Sequence, residues 1–344
     1  MRARRPLTIA CALLAGGALV WPGRPAQAGA APENYYQGKT VTIVVGFRPG
    51  GSSDAIARLL ARHLPKHIPG RPTFIVQNMP GANSIVAANH VYNVAKPDGL
   101  TLGIFNRSLP LAQLAKVEGV QFDITRFVWI ASMSQETTVL TVRSELPYKT
   151  VEDLRRAKEP VVIGATGAGS NSHDFPALLK ELLGFNLKLV TGYSSSPDIL
   201  LAIERKEVDG AALSPRTIRP LIERGVVRPL LRARVAEPGV EHLPVDEDLT
   251  TDRRIKGLLA LRSAPGVISR PFVMPPGTPP ELARIMREAF ARVARDQEFL
   301  AEAERSRIDI SYVPGDDALK TVKEILAQPP EVVQEFSKYL RFGD

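Results

Sequence analysis

Apolar positions along this chain follow two periods, one typical of buried strands and the other of amphipathic helices. Residues 40–47 are nearly all apolar and rich in β-branched side chains, which predicts a buried strand. The next segment places Ile56, Leu59, Leu60 and Leu64 at spacings of three and four, on one face of a helix. A strand followed at once by a helix indicates the α/β class.

The same cycle of strand and helix returns along the chain in two sets. The first set has strands at 73–77 and 100–105 and a helix near 84–94, and the second has strands at 161–163 and 187–190 and helices at 175–183 and 197–206. Alternation of this kind predicts a largely parallel sheet with helices on both faces in each set. We therefore expect two doubly wound α/β lobes.

Two apolar, β-rich stretches, 129–142 and 257–273, are placed so that the chain could cross between the lobes twice. Two crossings predict a two-strand hinge. On this interpretation lobe 1 comprises 33–137 together with 257–344, and lobe 2 comprises 138–256.

Capping residues predict where two of the helices begin. Thr150 followed by Asp153 resembles a capping box with aspartate in the third helical position. Thr278, Pro279 and Glu281 supply an N-cap threonine, a proline at the first helical position and an acid at the third.

The N-terminus has the features of a secretory signal peptide. Arg2, Arg4 and Arg5 precede an apolar run over 7–21, and Ala26-Gln27-Ala28 is a small-x-small cleavage pattern. We expect cleavage after Ala28 and a mature protein that is soluble outside the cytoplasm.

The single cysteine, Cys11, lies in this leader, so we expect neither a disulfide nor a thiolate nucleophile in the mature chain. A lipid anchor at Cys11 would cut the apolar run short and is the weaker interpretation.

Charge argues against nucleic acid as a partner. The formal net charge is +8, but the leader holds four of the 44 basic residues, which leaves forty against 36 acidic residues. These charges are spread along helices and form no basic stripe interleaved with aromatic residues.

Four loops that directly follow predicted strands carry glycines, hydroxyls and arginines. Ligands bind beyond the carboxyl ends of the strands in doubly wound sheets, and glycine next to a helix N-terminus suits an anion. The candidate ligand contacts are Phe47, Arg48, Gly50, Gly51, Ser52 and Ser53; Asn106, Arg107 and Ser108; Thr166, Gly167, Gly169, Ser170, Asn171 and His173; and Tyr193, Ser194 and Ser195. Asp54 is expected to order the first loop, since a carboxylate would repel an anionic ligand. Arg48 and Arg107 could each pair with a carboxylate or be exposed rim charges.

Other chemistries find weaker support in the sequence. Gly167-x-Gly169-x-x-Ser172 approximates a dinucleotide-binding fingerprint, but its third small position is serine. A hydrolase could use Ser170 or Ser172 with His173 and Asp174, although residues adjacent in sequence rarely form a triad and no G-x-S-x-G elbow is present. His63 and His67, four apart on a helix, lack an evident third metal ligand. We expect no cofactor and no metal, with an exported α/β enzyme as the alternative.

Several motifs together resemble the substrate-binding receptors of tripartite tricarboxylate transporters, also called Bug-type receptors. They are the P-G-G-x-x-D turn at 49–54, Asn78-Met79-Pro80-Gly81-Ala82, the segment 97–102, the glycine-rich run that ends in Ser170 and His173, and Pro276-Gly277-Thr278-Pro279. Each motif is weak alone, and their order and spacing carry the resemblance.

The resemblance implies a periplasmic binding protein of Venus flytrap architecture that is not an enzyme. Loops 47–54 and 166–173 would grip the carboxylate of a small organic acid, often through bridging water. The implied partners are that acid and the permease subunits of the transporter, and we expect a monomer. Arg48, where the family commonly has a small residue, and Arg216, which follows a strand that often ends in an acid, depart from the pattern and leave the identity of the acid open.

Overall fold

The computed structural model describes residues 34–167 and 170–339. The predicted signal peptide, its cleavage after Ala28 and the candidate contact Gly169 lie outside these residues.

The described strands and helices alternate as the hydrophobic pattern predicts. The strands are β1 (Thr40–Val45), β2 (Thr73–Asn78), β3 (Thr101–Ile104), β4 (Val128–Ser132), β5 (Val139–Arg143), β6 (Val161–Gly164), β7 (Leu187–Val190), β8 (Gly210–Leu213), β9 (Val227–Arg232), β10 (Pro271–Met274) and β11 (Val313–Pro314). The helices are α1 (Ser52–His63), α2 (Ile85–Asn93), α3 (Leu109–Leu114), α4 (Val151–Arg155), α5 (Asn171–Leu183), α6 (Ser196–Glu204), α7 (Pro215–Glu223), α8 (Arg253–Ser263), α9 (Pro280–Val293), α10 (Gln297–Arg305), α11 (Gly315–Leu326) and α12 (Pro330–Tyr339).

The strands form two separate sheets. The first has the order β11-β4-β10-β3-β1-β2 and the second the order β7-β6-β8-β5-β9. Within the first sheet β1 pairs in parallel with β2 and β3, and within the second β6 pairs in parallel with β7 and β8. The prediction of two α/β lobes is therefore confirmed.

Neither sheet is as parallel as the sequence pattern predicts. β10 runs antiparallel to β3 and β4, and β5 runs antiparallel to β8 and β9. The reason is topological: β5 and β10 receive the chain directly from the other lobe, so they run away from the junction while the parallel strands run towards it.

Helices cover both faces of each sheet. In β1, Ile43 and Val45 pack with Ile56 and Phe290 on one face, whereas Val44 packs on the other face with Val91. The second sheet has the same organisation, with one cluster around Phe175 and another around Ile218. Burial of alternate residues on opposite faces is what a continuous apolar strand requires.

Two chain segments join the lobes, 133–138 on the way out and 264–270 on the way back. They pair with each other, because the amide of Met133 donates to the carbonyl of Arg270 (3.0 Å) and the amide of Ser269 donates to that of Ser134 (3.0 Å). Gly266 allows the closest approach, since a Cβ there would overlap the carbonyl oxygen of Glu136. These paired segments form the two-strand hinge.

The lobe boundaries themselves stay a prediction, because two helices pack between the lobes. Leu258 and Leu261 of α8 lie in one apolar cluster with Leu111 of lobe 1 and with Val332 and Phe336 of α12. The C-terminal helix thus contacts the junction rather than only the first lobe.

One stretch predicted as β-rich is largely helical. Residues 253–263 form α8, whose N-cap Asp252 accepts hydrogen bonds from the amides of Arg254 (2.8 Å) and Ile255 (3.3 Å). The prediction of β structure for 257–273 rested on apolar content and did not take this cap into account. Only Pro271–Met274 is a strand.

The two predicted helix starts have different outcomes. The predicted capping box is present: the Thr150 hydroxyl accepts from the amide of Asp153, and the Asp153 carboxylate accepts from the amide of Thr150. The predicted N-cap at Thr278 is wrong: α9 begins at Pro280 after Pro279, and the Thr278 hydroxyl instead donates to the carbonyl of Pro275 (2.8 Å).

Candidate functional site

The loop between β1 and α1 is ordered by Asp54. Its buried carboxylate accepts hydrogen bonds from the amide of Gly50, from Nε of Arg58 and from Nδ2 of Asn78, each at 2.9 Å. Burial raises the pKa of Asp54, but these three donors outweigh it and hold the pKa at about 2. Gly50 has φ +85°, a backbone conformation that favours glycine. These contacts fit the loop-ordering role predicted for Asp54.

A cavity of about 260 Å³, here called the inner cavity, lies at the carboxyl ends of β1 and β3. Six of the predicted contacts line it, namely Phe47, Gly51, Ser52, Ser53, Asn106 and Arg107. The first amides of a helix have no acceptor within the helix, so the start of α1 presents N–H groups and the positive end of its dipole here. Arg48 and Gly50 are exposed and lie outside the lining of this cavity.

Three charged residues in the lining of the inner cavity, Arg107, Glu136 and Arg270, form an ion-paired triad that reaches the hinge. Nη1 of Arg107 lies 2.7 Å from Oε2 of Glu136, and Nη1 of Arg270 lies 2.6 Å from Oε1 of the same carboxylate. Arg107 also donates to Oγ of Ser269 at 2.7 Å. Burial raises the pKa of Glu136, yet the two guanidinium groups outweigh it and lower that pKa below its usual range. Glu136 is therefore ionised at neutral pH.

A larger cavity of about 590 Å³, the outer cavity, lies between the lobes and shares Ser52, Glu136 and Arg270 with the inner cavity. On the side of lobe 2 it is lined by the start of α7, where Oγ of Ser214 accepts from the amide of Thr217 (3.4 Å). The N-termini of α1 and α7 thus meet at one cavity. Two helix starts facing the same space favour a negatively charged occupant.

Charged side chains of both signs line the outer cavity. Four are arginines, Arg216, Arg219, Arg270 and Arg307, and three are acids, Glu136, Glu237 and Asp309. Arg216 of α7 reaches across to Asp309 of lobe 1, with Nη1 and Oδ2 2.6 Å apart. Burial raises the pKa of Glu237, whose carboxylate accepts from the amide of Thr137 on the hinge. Basic residues outnumber acids here, which also favours an anion.

The predicted loop of lobe 2 forms mostly internal hydrogen bonds. Oγ of Ser172 accepts from the amide of Thr166 (3.1 Å) and lies 2.9 Å from Oγ of Ser170, which in turn donates to the carbonyl of Gly167 (2.6 Å). Nδ1 of His173 lies 2.9 Å from Oδ1 of Asp174. In this conformation Thr166, Gly167, Ser170 and His173 lie outside the lining of the inner cavity, the outer cavity and a small cavity at the hinge.

Asn171 and Ser108 line a third space, the hinge cavity of about 50 Å³, which also has Arg107, Glu136 and Arg262 in its wall. Arg262 is buried above the ring of Phe175, with its guanidinium carbon 4.4 Å from the ring centroid. This cavity has room for a few water molecules at most.

The fourth predicted loop is set apart from these cavities. Oγ of Ser195 donates to Oδ2 of Asp198 (2.7 Å) in the first turn of α6, and Tyr193 packs against the apolar cluster that contains Ile199. Tyr193, Ser194 and Ser195 are not in the lining of the three cavities, and their ligand contacts stay a prediction.

Four residues in these linings, Glu136, Arg270, Arg307 and Asp309, are not among the contacts predicted from the sequence. They lie on the hinge or in the segment before β11, not in loops that follow parallel strands. The available signal was weak: a charged residue inside each of the two crossing stretches, Glu136 in one and Arg270 in the other.

His63 and His67 each face a carboxylate on α10 or at its start. Nε2 of His63 lies 2.7 Å from Oε2 of Glu302, and Nε2 of His67 lies 2.8 Å from Oδ2 of Asp296. Ligand atoms of His63, Asp296 and Glu298 come within 4.8 Å of one another, but the ammonium of Lys66 contacts both Asp296 (2.7 Å) and Glu298 (2.6 Å). We interpret the cluster as an ion-pair network that ties the end of α1 and the 3₁₀ turn after it, Leu64–His67, to α10.

Within the described residues, no helix has both the length and the apolar character needed to span a membrane.

Two α/β lobes, a two-strand hinge and an anion-suited cleft between the lobes define a two-lobed solute-binding protein. A family model described as "Tripartite tricarboxylate transporter family receptor" matches residues 56–337, and the chain belongs to this family.

A curated relative and two solved structures are similar to this chain over most of its length. A UPF0065 protein of Bordetella pertussis (strain Tohama I) is 24% identical over 90% of this chain and 93% of its own length. The crystal structure of a TctC solute-binding protein from Polaromonas, without ligand, superposes with a TM-score of 0.71 at 21% identity, over 88% of this chain and 99% of that one. MatC from Rhodopseudomonas palustris with bound malate gives a TM-score of 0.56 at 22% identity, over 86% and 99%.

Proposed function

We propose that this protein is a periplasmic receptor that captures a small organic acid between its lobes and delivers it to the membrane permease of a tripartite tricarboxylate-type transporter. The observation that carries the proposal is the meeting of two helix N-termini, α1 and α7, at one arginine-lined cavity. Backbone amides and guanidinium groups are the donors that carboxylates prefer. The malate bound to MatC supports an acid of this kind.

Binding would follow a shift between open and closed lobes. The loop before α1 contributes contacts from lobe 1 and the start of α7 contributes contacts from lobe 2, so a ligand that touches both favours closure. Closure about the paired hinge segments would also bring loop 166–173 nearer to the ligand, which is the role predicted for that loop. The closed form then presents a composite surface to the permease.

A binding role without catalysis fits the side chains of the lobe 2 loop. The hydroxyls of Ser170 and Ser172 lie within hydrogen-bonding distance of each other, and the ring of His173 bonds to its neighbour Asp174. A hydrolase would need the imidazole beside the nucleophilic hydroxyl.

The test is a thermal-shift screen of the mature chain, from residue 29 onward, against di- and tricarboxylates, aromatic acids, amino acids, sugars and divalent metals. We expect at least one organic acid to raise the melting temperature, because a ligand that binds only the folded state stabilises it. No shift with any acid, but a shift with sugars or metals, would contradict the proposal.

A further inference from the structure

Glu136 has a position unlike that of the other described residues: it lines the inner, outer and hinge cavities alike. It lies in the hinge segment between β4 and β5, where its amide donates to the carbonyl of Gly266 (2.8 Å). Its side chain is 31% exposed and so is open to the cleft. A carboxylate at the centre of a cleft suited to anions needs a physical explanation.

The Glu136 carboxylate lies where an acidic ligand would be expected to bind. Its two oxygens are bound separately, one to Arg107 and the other to Arg270, so both guanidinium groups already have an anionic partner. The two arginine side chains are only 19% and 17% exposed, which weakens solvent screening of their interaction with any anion. Two guanidinium groups and one carboxylate leave the triad with a single positive charge.

We propose that Glu136 is a specificity-determining residue that competes with the ligand for Arg107 and Arg270. An acid binds only if it replaces Glu136 on at least one guanidinium group while it also contacts the amides at the start of α1. A small inorganic anion such as chloride cannot make both sets of contacts and is excluded. This inference rests on the proposed function and adds to it the residue that sets the selectivity of the site.

The competing interpretation is that Glu136 only holds the two arginines in a binding-ready geometry. The two interpretations predict opposite effects of removing the charge. If Glu136 competes, Glu136→Gln strengthens acid binding, because the arginines lose an anionic partner and gain free positive charge. If Glu136 only positions them, the same variant weakens binding.

The experiment is a calorimetric titration of the wild type, Glu136→Gln and Glu136→Asp with the acid that gives the largest thermal shift. We expect Glu136→Gln to bind roughly tenfold more tightly, and chloride at about 0.2 M to weaken its binding more than that of the wild type. Glu136→Asp keeps the charge on a shorter side chain that reaches the two guanidinium groups less well, so its affinity should lie between those of the wild type and Glu136→Gln. Unchanged or weaker binding by Glu136→Gln overturns the proposal.

A second measurement uses the wild type and so does not depend on whether a variant folds. In a crystal structure of the complex with the acid, the Glu136 carboxylate should have left Nη1 of Arg107 or of Arg270. A complex in which both ion pairs remain intact also overturns the proposal. Failure of the wild type to bind any acid would instead refute the proposed function, so the two failures are distinguishable.

Discussion

Arg216 of α7 and Asp309 of the first lobe form an ion pair across the cleft, with Nη1 and Oδ2 2.6 Å apart. The arginine side chain is 37% exposed and the aspartate 70%, so solvent screens the pair and its direct contribution to stability is small, at most about 1 kcal/mol. Its importance lies in its position, because both residues line the outer cavity.

The position of this pair predicts opposite roles for its two members in ligand binding. Arg216→Gln should weaken binding of the acid about fivefold, since it removes a guanidinium group at the start of α7. Asp309→Asn is the matched control: it frees Arg216, so affinity should stay the same or increase. Isothermal titration of both variants checks this, and equal losses in the two would show that the ion pair matters only for holding the lobes together.

Gly51 offers a test of the inner cavity. A Cβ at this position would lie 3.8 Å from the carbonyl oxygen of Arg48, an ordinary contact, so a side chain is tolerated by the fold. Gly51→Trp should therefore leave the melting temperature nearly unchanged but fill the cavity and abolish acid binding. Gly51→Ala is the control that should bind within a few-fold of the wild type. Retained affinity in the tryptophan variant, measured by calorimetry, would place the ligand elsewhere.

The lowered pKa of Asp54 should make the stability of the fold depend on pH. Its pKa is lowered in the folded protein from 3.8 to about 2, so its contribution is present above pH 4 and is lost as the pH falls towards 2. Asp54→Asn should cost roughly 1–3 kcal/mol at pH 7, because it weakens three hydrogen bonds of the loop. Urea denaturation at pH 7 and at lower pH measures the difference in the free energy of unfolding between the wild type and Asp54→Asn. That difference should shrink as the pH falls below about 4; a difference independent of pH would contradict the assigned role.

Gly266 tests the close pairing of the hinge segments. A Cβ here would overlap the backbone carbonyl oxygen of Glu136, which cannot move without separating the two segments. Gly266→Ala should destabilise the fold by about 2 kcal/mol or more. Gly257→Ala is the control, because Gly257 lies inside α8 with open space around it and alanine favours helix by roughly 0.5–1 kcal/mol. Similar melting temperatures for the two variants would show that the hinge tolerates a wider separation.

The sequence predicted the lobes well because periodicity reports burial, and burial decides where strands and helices form. The apolar residues of β1 and the helical spacing after Gly51 are examples. It failed at 257–273, where apolar content alone does not distinguish a buried helix from a strand and the cap at Asp252 carried the information.

The candidate site was predicted only in part, for a different reason. Contacts in the first loop follow from a local rule, since helix starts after parallel strands attract anions. Glu136, Arg270 and Asp309 come together through the hinge and the C-terminal segment, and no local pattern relates positions more than a hundred residues apart in sequence, such as 136 and 270. For the same reason the predicted contacts Thr166, Gly167, Ser170 and His173 stay a prediction, since these residues lie outside the linings of the inner, outer and hinge cavities.

In the proposed function, the cleft binds a carboxylate through the negative charge of that group. The most direct measurement is a calorimetric titration of the mature wild-type chain with the best acid from the thermal screen and with the uncharged amide of that acid. We predict one site per chain for the acid and binding about a hundredfold weaker for the amide, because the guanidinium groups and helix amides lose an anionic acceptor. Equal affinity for the acid and its amide would contradict the account.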